Sequence, residues 1–254
     1  MAPRTPASPV RLAAGALTLE LPSALVARAR PLGPLEGFLS EHAQAPSAPL
    51  RVAWEPLPDG AGLEQLSFQA EGPVLCARGP SSPEGALAVL RGAWAEACGR
   101  QGGVLLHGAG ILHRGRALVV TGPPDAGKST AAELALQAGA TLLSDEVLAL
   151  FPDGTVQGTP FRSSLTWPPS PARARCAAVL GLEKASAESI RDAPPAAFAA
   201  ALLSQVWTPA GLGLPATEGR AVALRFADQG FRGTFAFRKH PDAGRFLLEW
   251  LDAL

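Results

Sequence analysis

Ala117-Leu118-Val119-Val120 runs almost directly into Gly122-Pro123-Pro124-Asp125-Ala126-Gly127-Lys128-Ser129-Thr130, and an alanine- and leucine-rich segment then continues to Gly139. The small and β-branched residues of the first piece predict a buried strand. The second piece satisfies G-x-x-x-x-G-K-[S/T], with Gly122, Gly127, Lys128 and Ser129 at the fixed positions. The third predicts a helix to about Ala138, ended by Gly139. In a strand, loop and helix of this kind, successive backbone N–H groups point at phosphate oxygens. Glycine lets the backbone come close, Lys128 brings positive charge, and the Ser129 hydroxyl can join a Mg²⁺ shell. The helix that follows aims its N-terminus at the anion. With this composition a chance match is expected about 0.003 times per chain. Residues Gly122 to Thr130, with Pro123, Pro124, Asp125 and Ala126 between the fixed positions, are therefore the candidate nucleotide site, with ATP and Mg²⁺ as expected ligands.

A second buried strand is predicted at Ala140–Leu143, leading to Ser144-Asp145-Glu146. Open α/β sheets gather ligands at the carboxyl ends of their strands. An acid there, beside a phosphate loop, holds Mg²⁺ or orients a nucleophile. Read without the loop, the same two acids are an exposed turn. His107, in Leu105-Leu106-His107-Gly108, ends another apolar segment. It reads either as a hydrogen-bonded core residue or as part of the site. His42, His113 and His240 carry no signal of function.

Working outward, Ser82, Pro83 and Glu84 predict a capped helix start, and Leu87, Leu90, Trp94 and Cys98 give it one apolar face up to Gly99. Strands are predicted at Val104–Leu106 and Ile111–Leu112. Val147–Phe151 and Thr155–Gln157 flank Pro152-Asp153-Gly154, a hairpin signal. Cys176–Leu182 reads as a strand, Pro195–Val206 as a helix, Arg220–Phe226 and Thr234–Phe237 as strands. Pro241–Leu254 reads as a closing helix with Phe246, Leu247, Trp250 and Leu254 on its apolar face. Residues 1–9 read as a disordered start. Residues 10–80 read as a strand-rich N-terminal layer, with short strands at Val10–Leu12, Leu17–Leu21, Leu50–Trp54, Leu63–Gln69 and Val74–Ala77. A helix is expected there at Pro22–Ala29 or Leu35–His42, and a turn at Pro56–Gly60. Residues 81–254 form the expected domain of the phosphate loop.

The totals set limits. The chain has 254 residues, 47% apolar and 17% charged. Acids and bases balance at 22 each. No broad field then draws nucleic acid or an anionic membrane. Lysine occurs only at Lys128, Lys184 and Lys239, against 19 arginines. Cys76, Cys98 and Cys176 have neither metal spacing nor a disulfide framework, and read as idle thiols of a reducing cytosol. No apolar run reaches the roughly 18 residues of a membrane span. A cytoplasmic location is expected.

Three elements in register, Leu105–Gly110, Ala117–Thr130 and Leu142–Glu146, resemble HPr kinase/phosphorylase and its wider kinase-like relatives. His107 lies 21 positions before Lys128, and Asp145 17 positions after it. The resemblance implies the α/β P-loop sheet shared with phosphoenolpyruvate carboxykinases. It implies transfer of the γ-phosphate of ATP to a hydroxyl of a protein, peptide or small molecule. Asp145 then matches the base that deprotonates the acceptor, Glu146 the acid tied to Mg²⁺, and His107 the histidine that poises the base by hydrogen-bonding it. Lys128 and Ser129 match the phosphate and metal ligands. Gly158-Thr159-Pro160-Phe161-Arg162-Ser163 resembles a motif of the same relatives, with Arg162 a candidate for offsetting charge on the transferred group; Arg232 and Arg238 are weaker ones. Self-association as a homo-oligomer is also implied. The sequence departs from the family in its Asp-Glu pair, where Asp-Asp is usual, and in its two loop prolines. It lacks the downstream signature of the bifunctional enzymes, so neither phosphorolysis nor HPr as acceptor is expected. The alternative reading is an ATP-binding regulatory or scaffold module without transfer chemistry. A motor or transporter ATPase is disfavoured, because no LSGGQ-type signature is present.

Overall fold

A computed structural model describes residues 8–30, 35–39, 48–58, 60–209 and 212–254. The chain is mixed α/β, with two mixed sheets and six α-helices among the described residues. The smaller sheet has five strands: β1 (Val10–Ala14), β2 (Leu17–Leu21), β3 (Leu50–Leu57), β4 (Ser67–Glu71) and β5 (Val74–Pro80), in the order β1-β2-β3-β5-β4. One short helix, α1 (Ser23–Ala29), lies in this part.

The long helix α2 (Pro83–Arg100) follows. Ser82 Oγ accepts from Gly85 N–H at 3.1 Å, the cap its sequence predicts. The helix is buried on nearly every side, not along one stripe. The cause is its position. It packs on β5, β2 and α1 and also on β6 (Val104–His107) of the second sheet. A helix enclosed by two sheets has no solvent face to mark with charge.

The second sheet has ten strands: β6, β7 (Ala109–His113), β8 (Arg116–Thr121), β9 (Thr141–Ser144), β10 (Val147–Leu150), β11 (Thr155–Gln157), β12 (Arg173–Lys184), β13 (Ser189–Asp192), β14 (Val206–Trp207) and β15 (Phe231–Phe237). At its centre β8, β12 and β15 run parallel, while β7 lies antiparallel between β8 and β9. Side chains of β8 alternate between faces. Leu118 and Val120 pack under α3 (Lys128–Gln137) and α6 (Pro241–Ala253). Ala117 and Val119 face α4 (Pro195–Leu203) and α5 (Ala216–Ala227). The result is helices on both faces of a sheet, the layering that covers parallel strands. Helices α3 and α6 meet at Gly244, where a Cβ would lie 2.0 Å from the Leu134 carbonyl oxygen.

Several expectations change. Arg220–Phe226, read as a strand, is the core of α5. Its alternating look gives way to burial of Gly219, Val222, Ala223, Phe226 and Ala227, a spacing of 3.6. The helix expected at Pro195–Val206 ends at Leu203, and Val206 joins β14 against β6. Leu63–Gln69 divides into a 3₁₀ turn at Leu63–Gln65 and the strand β4. Pro56 and Leu57, expected in a turn, extend β3. The face of α6 is rotated: Ala243, Leu247, Leu248 and Leu251 are buried, whereas Leu254 is half exposed. Strand β13 was not expected. Of the segment Leu35–His42, a short 3₁₀ turn at Glu36–Phe38 is seen, and residues 40–42 lie outside the described residues, as do residues 1–7 of the expected disordered start and Asp59 of the expected turn.

The hairpin at Pro152–Gly154 forms as expected, with Leu150 opposite Val156. All three cysteines are free thiols. Burial pushes the Cys176 thiol up to about 12 and raises that of Cys98 as well, so neither ionises near neutrality. Among the described residues no helix is long and apolar enough to cross a membrane.

Candidate functional site

The loop of residues 122–127 joins β8 to α3. Gly127 sits at φ +98°, in the left-handed region that glycine alone enters freely, and this turn starts the helix. No side chain caps α3. Its first helical bond runs from Ala131 N–H to Gly127 O at 2.8 Å. The N–H groups of Lys128, Ser129 and Thr130 therefore have no partner within the helix. Where α2 closes its N-terminus with Ser82, α3 leaves its own open toward a cavity, which suits an anion.

Lys128 is nearly buried, at 9% exposure. Its Nζ donates to the carbonyls of Gly122 at 2.8 Å and Pro123 at 3.0 Å. Burial holds its pKa below the usual lysine value, with Asp125 opposing that shift. Pro124 to Thr130 form one wall of a cavity of about 870 Å³, whereas Gly122 and Pro123 are not in its lining and instead hold Lys128 through their carbonyls. That size suits a nucleotide-sized ligand.

Asp145 follows β9 on the same cavity wall and is 2% exposed. Its Oδ2 receives the Ser129 hydroxyl at 3.5 Å. Backbone N–H groups of Ser163, Ser164 and Leu165 donate to the two carboxylate oxygens at 2.9, 3.0 and 3.0 Å. The segment that delivers these amides is set by Ser144, whose hydroxyl donates to Phe161 O at 2.6 Å. Sequence reasoning found Asp145 but not this amide cage, because residues 18 to 20 positions further on supply it.

Glu146 turns another way. It forms an ion pair with Arg91 of α2 and is absent from the cavity lining. Its Oε2 is buried without a hydrogen-bond partner, as is Arg91 Nε. His107, at the end of β6, does line the cavity. Burial and then the Lys128 charge lower its pKa from 6.5, while the charge and main chain of Glu146 pull it up. The imidazole is therefore mainly neutral at pH 7. The bond from His107 to Asp145 that the resemblance implies is not among those formed by the described residues. His107 interacts with Glu146 instead.

Arg162 does not reach the cavity. Its Nη1 donates to the carbonyls of Leu165 at 3.4 Å and Thr166 at 3.5 Å, bracing the segment that cages Asp145. Arg232 pairs with Asp228. Arg238 does line the cavity, with Lys184, Ala185, Phe237 and Lys239. The two lysines went unassigned in the sequence.

The donors fit a hard cation. Ser129 Oγ and Asp145 Oδ2 are adjacent oxygen donors on the wall of a polar cavity, and Mg²⁺ needs few protein oxygens when phosphates and water complete its shell. Among the described residues there is no cluster of three or more His, Cys, Asp or Glu able to hold a metal by themselves. No protein-family model matches this chain, and no curated protein matches it significantly.

Proposed function

We propose that this chain is a P-loop phosphotransferase of the HPr kinase and phosphoenolpyruvate carboxykinase type, acting in the cytoplasm. It binds ATP and Mg²⁺ and transfers the γ-phosphate to a hydroxyl of a protein, peptide or small molecule. One observation carries the reading: the glycine loop is curled and uncapped, and it opens on the same cavity wall as Asp145, 3.5 Å from Ser129.

The residues divide the work as follows. The N–H groups at the start of α3 and the ammonium of Lys128 hold the phosphates. To do so, Lys128 exchanges loop carbonyls for phosphate oxygens. Ser129 and Asp145 would hold Mg²⁺, which when bound would supply charge neutralisation of the phosphates. Asp145 accepts the proton of the acceptor hydroxyl, whose oxygen attacks the γ-phosphorus as the bond to the β-phosphate oxygen breaks and ADP leaves. Asp145 can serve as base only when one of its bonds to residues 163–165 yields. His107, mainly neutral, lines the same cavity but interacts with Glu146 rather than Asp145, so no proton transfer from Asp145 is assigned to it.

The test uses γ-labelled ATP with a cell extract. Lys128→Ala is expected to lose nucleotide binding. Asp145→Asn is expected to bind ATP and fail to transfer. Full transfer by Asp145→Asn removes Asp145 from the role of base. A second reading, an ATP-binding module without transfer, draws support from the fully engaged carboxylate of Asp145 and from the Arg91 pair that occupies Glu146. Tight ATP binding with no labelled acceptor selects it.

A further inference from the structure

We propose that Lys184 and Lys239 form a second cationic pole of the cavity that holds the α-phosphate end of a nucleoside polyphosphate. The proposal rests on the nucleotide reading above and adds the direction in which the ligand lies.

The first observation is one of distribution. The chain has three lysines and 19 arginines, and all three lysines line this cavity. Lys128 belongs to the loop that defines the cavity, and scattering the other two lysines over the solvent-reaching positions would place both on this wall on the order of 0.01 of the time. The second observation is their lack of counter-charges. Arg238 beside them is paired with Glu188 at 3.1 Å and Asp242 at 3.9 Å. Lys184 and Lys239 have no ion pair among the described residues. Two unneutralised cations at one end of a cavity favour an anionic ligand there.

The third observation is topological. Lys184 ends β12, and Lys239 lies two residues beyond β15. With β8 these are consecutive parallel strands, and their carboxyl ends form one rim. Asp145 follows β9, on the opposite side of β8 and beyond β7. The end of β15 reaches the loop itself, since a Cβ on Gly127 would lie 3.2 Å from Phe237 Cζ. A polyphosphate with its terminal group at Ser129 and Asp145, lying across Gly127 and Lys128, therefore runs toward Lys184 and Lys239. Lysine suits this role as a compact, mobile point charge that can follow single phosphate oxygens.

Binding of ATP, ADP, AMP and tripolyphosphate to the full chain, measured by calorimetry, tests the assignment. Lys184→Ala and Lys239→Ala are expected to weaken ADP by roughly tenfold each, and the double variant more than either. AMP, whose phosphate is the α-phosphate, should lose affinity in these variants. In the Arg variants at both positions, much of the affinity should return. Thermal melts check that the exposed substitutions leave the fold intact. If the unaltered protein binds ATP and the double Ala variant binds ADP and AMP equally well, the second pole is refuted while the nucleotide reading stands. If the unaltered protein binds neither ATP nor tripolyphosphate, both fall together.

Discussion

The five-stranded sheet and the carboxyl rim of the ten-stranded sheet use charge in opposite ways. In the small sheet, Arg11 faces Glu20 across β1 and β2, and Arg51 faces the same Glu20 across β2 and β3. Arg78 faces Glu55 across β3 and β5. Their separations of 3.1, 3.8 and 3.2 Å make each arginine part of a cross-strand ion pair. At the rim, Lys184 and Lys239 have no such neighbours among the described residues, and the start of α3 is left uncapped. A chain that is neutral overall thus pairs its cross-strand arginines with acids where it is structural, and leaves lysines without ion pairs among the described residues where a ligand is expected. Net charge averages over that difference and hides it.

The strongest way to disturb both regions at once is Trp94→Ala. Trp94 of α2 is fully buried and meets Phe38 and Phe161 edge-on, at ring separations of 5.8 and 6.0 Å. Phe161 leads into the segment that cages Asp145. Removal of the indole should cost about 3–5 kcal/mol in denaturant unfolding. Amides of Ser163, Ser164 and Leu165 should also exchange faster with solvent. A destabilised variant whose three amides keep their protection would show that α2 does not couple the small sheet to the acid.

Next in size is Arg91→Ala. It strands the carboxylate of Glu146, which is mostly buried, and should cost about 2 kcal/mol, below the range for fully enclosed pairs because the site is partly solvated. It should also raise the pKa of His107, since the Arg91 cation helps to depress it. Glu146→Gln should move that pKa down instead. Proton NMR of the imidazole separates the two directions, and a His107 that ignores both changes would break its link to the Arg91 and Glu146 pair.

What the sequence disclosed follows from how local each feature is. The loop from Gly122 to Thr130, the Ser82 cap and the hairpin at Pro152–Gly154 depend on residues within a few positions of one another, and all three appear where expected. Arg220–Phe226 departs from the expected strand because Arg-Ala-Val-Ala-Leu-Arg-Phe fits either period, and packing against α4, β6, β10 and β14 selects the helix. The placement of Arg162 and Glu146 depended on α2 and on the segment after Phe161, both distant in sequence. Lys184 and Lys239 stand 55 positions apart and meet only because β12 and β15 are paired. No periodicity or spacing marks them.

A smaller effect is expected from pH. The pKa of His107 in the folded chain lies below its ordinary value of 6.5, through burial and the Lys128 charge. As pH falls through 6.5, the unfolded chain takes up the proton first, so stability declines. The decline ends once the pH is below the folded value. Above 6.5 this group contributes no slope. His107→Gln should lack this component in melts recorded across the window. Inorganic pyrophosphate in the cavity should raise the pKa of His107 and soften the decline, because an anion favours the imidazolium.

The smallest effect is expected from Arg78→Ala, and it is the sharpest check on the opening contrast. Both partners of the Arg78 and Glu55 pair are more than half exposed. Water and salt screen such a pair, and holding two long side chains together costs entropy. The substitution should change stability by less than about 0.5 kcal/mol, and the Arg78 and Glu55 coupling in a double-mutant cycle should vanish at high salt. The arginines of the small sheet are each paired in place, so their loss should also leave ADP affinity unaltered, unlike the loss of Lys184 or Lys239. A cost above 1 kcal/mol would mean that the cross-strand pairs hold the sheet rather than merely balance its surface. A fall in ADP affinity would mean that the two regions are not electrically separate, and that the positive rim draws on charge from the whole molecule.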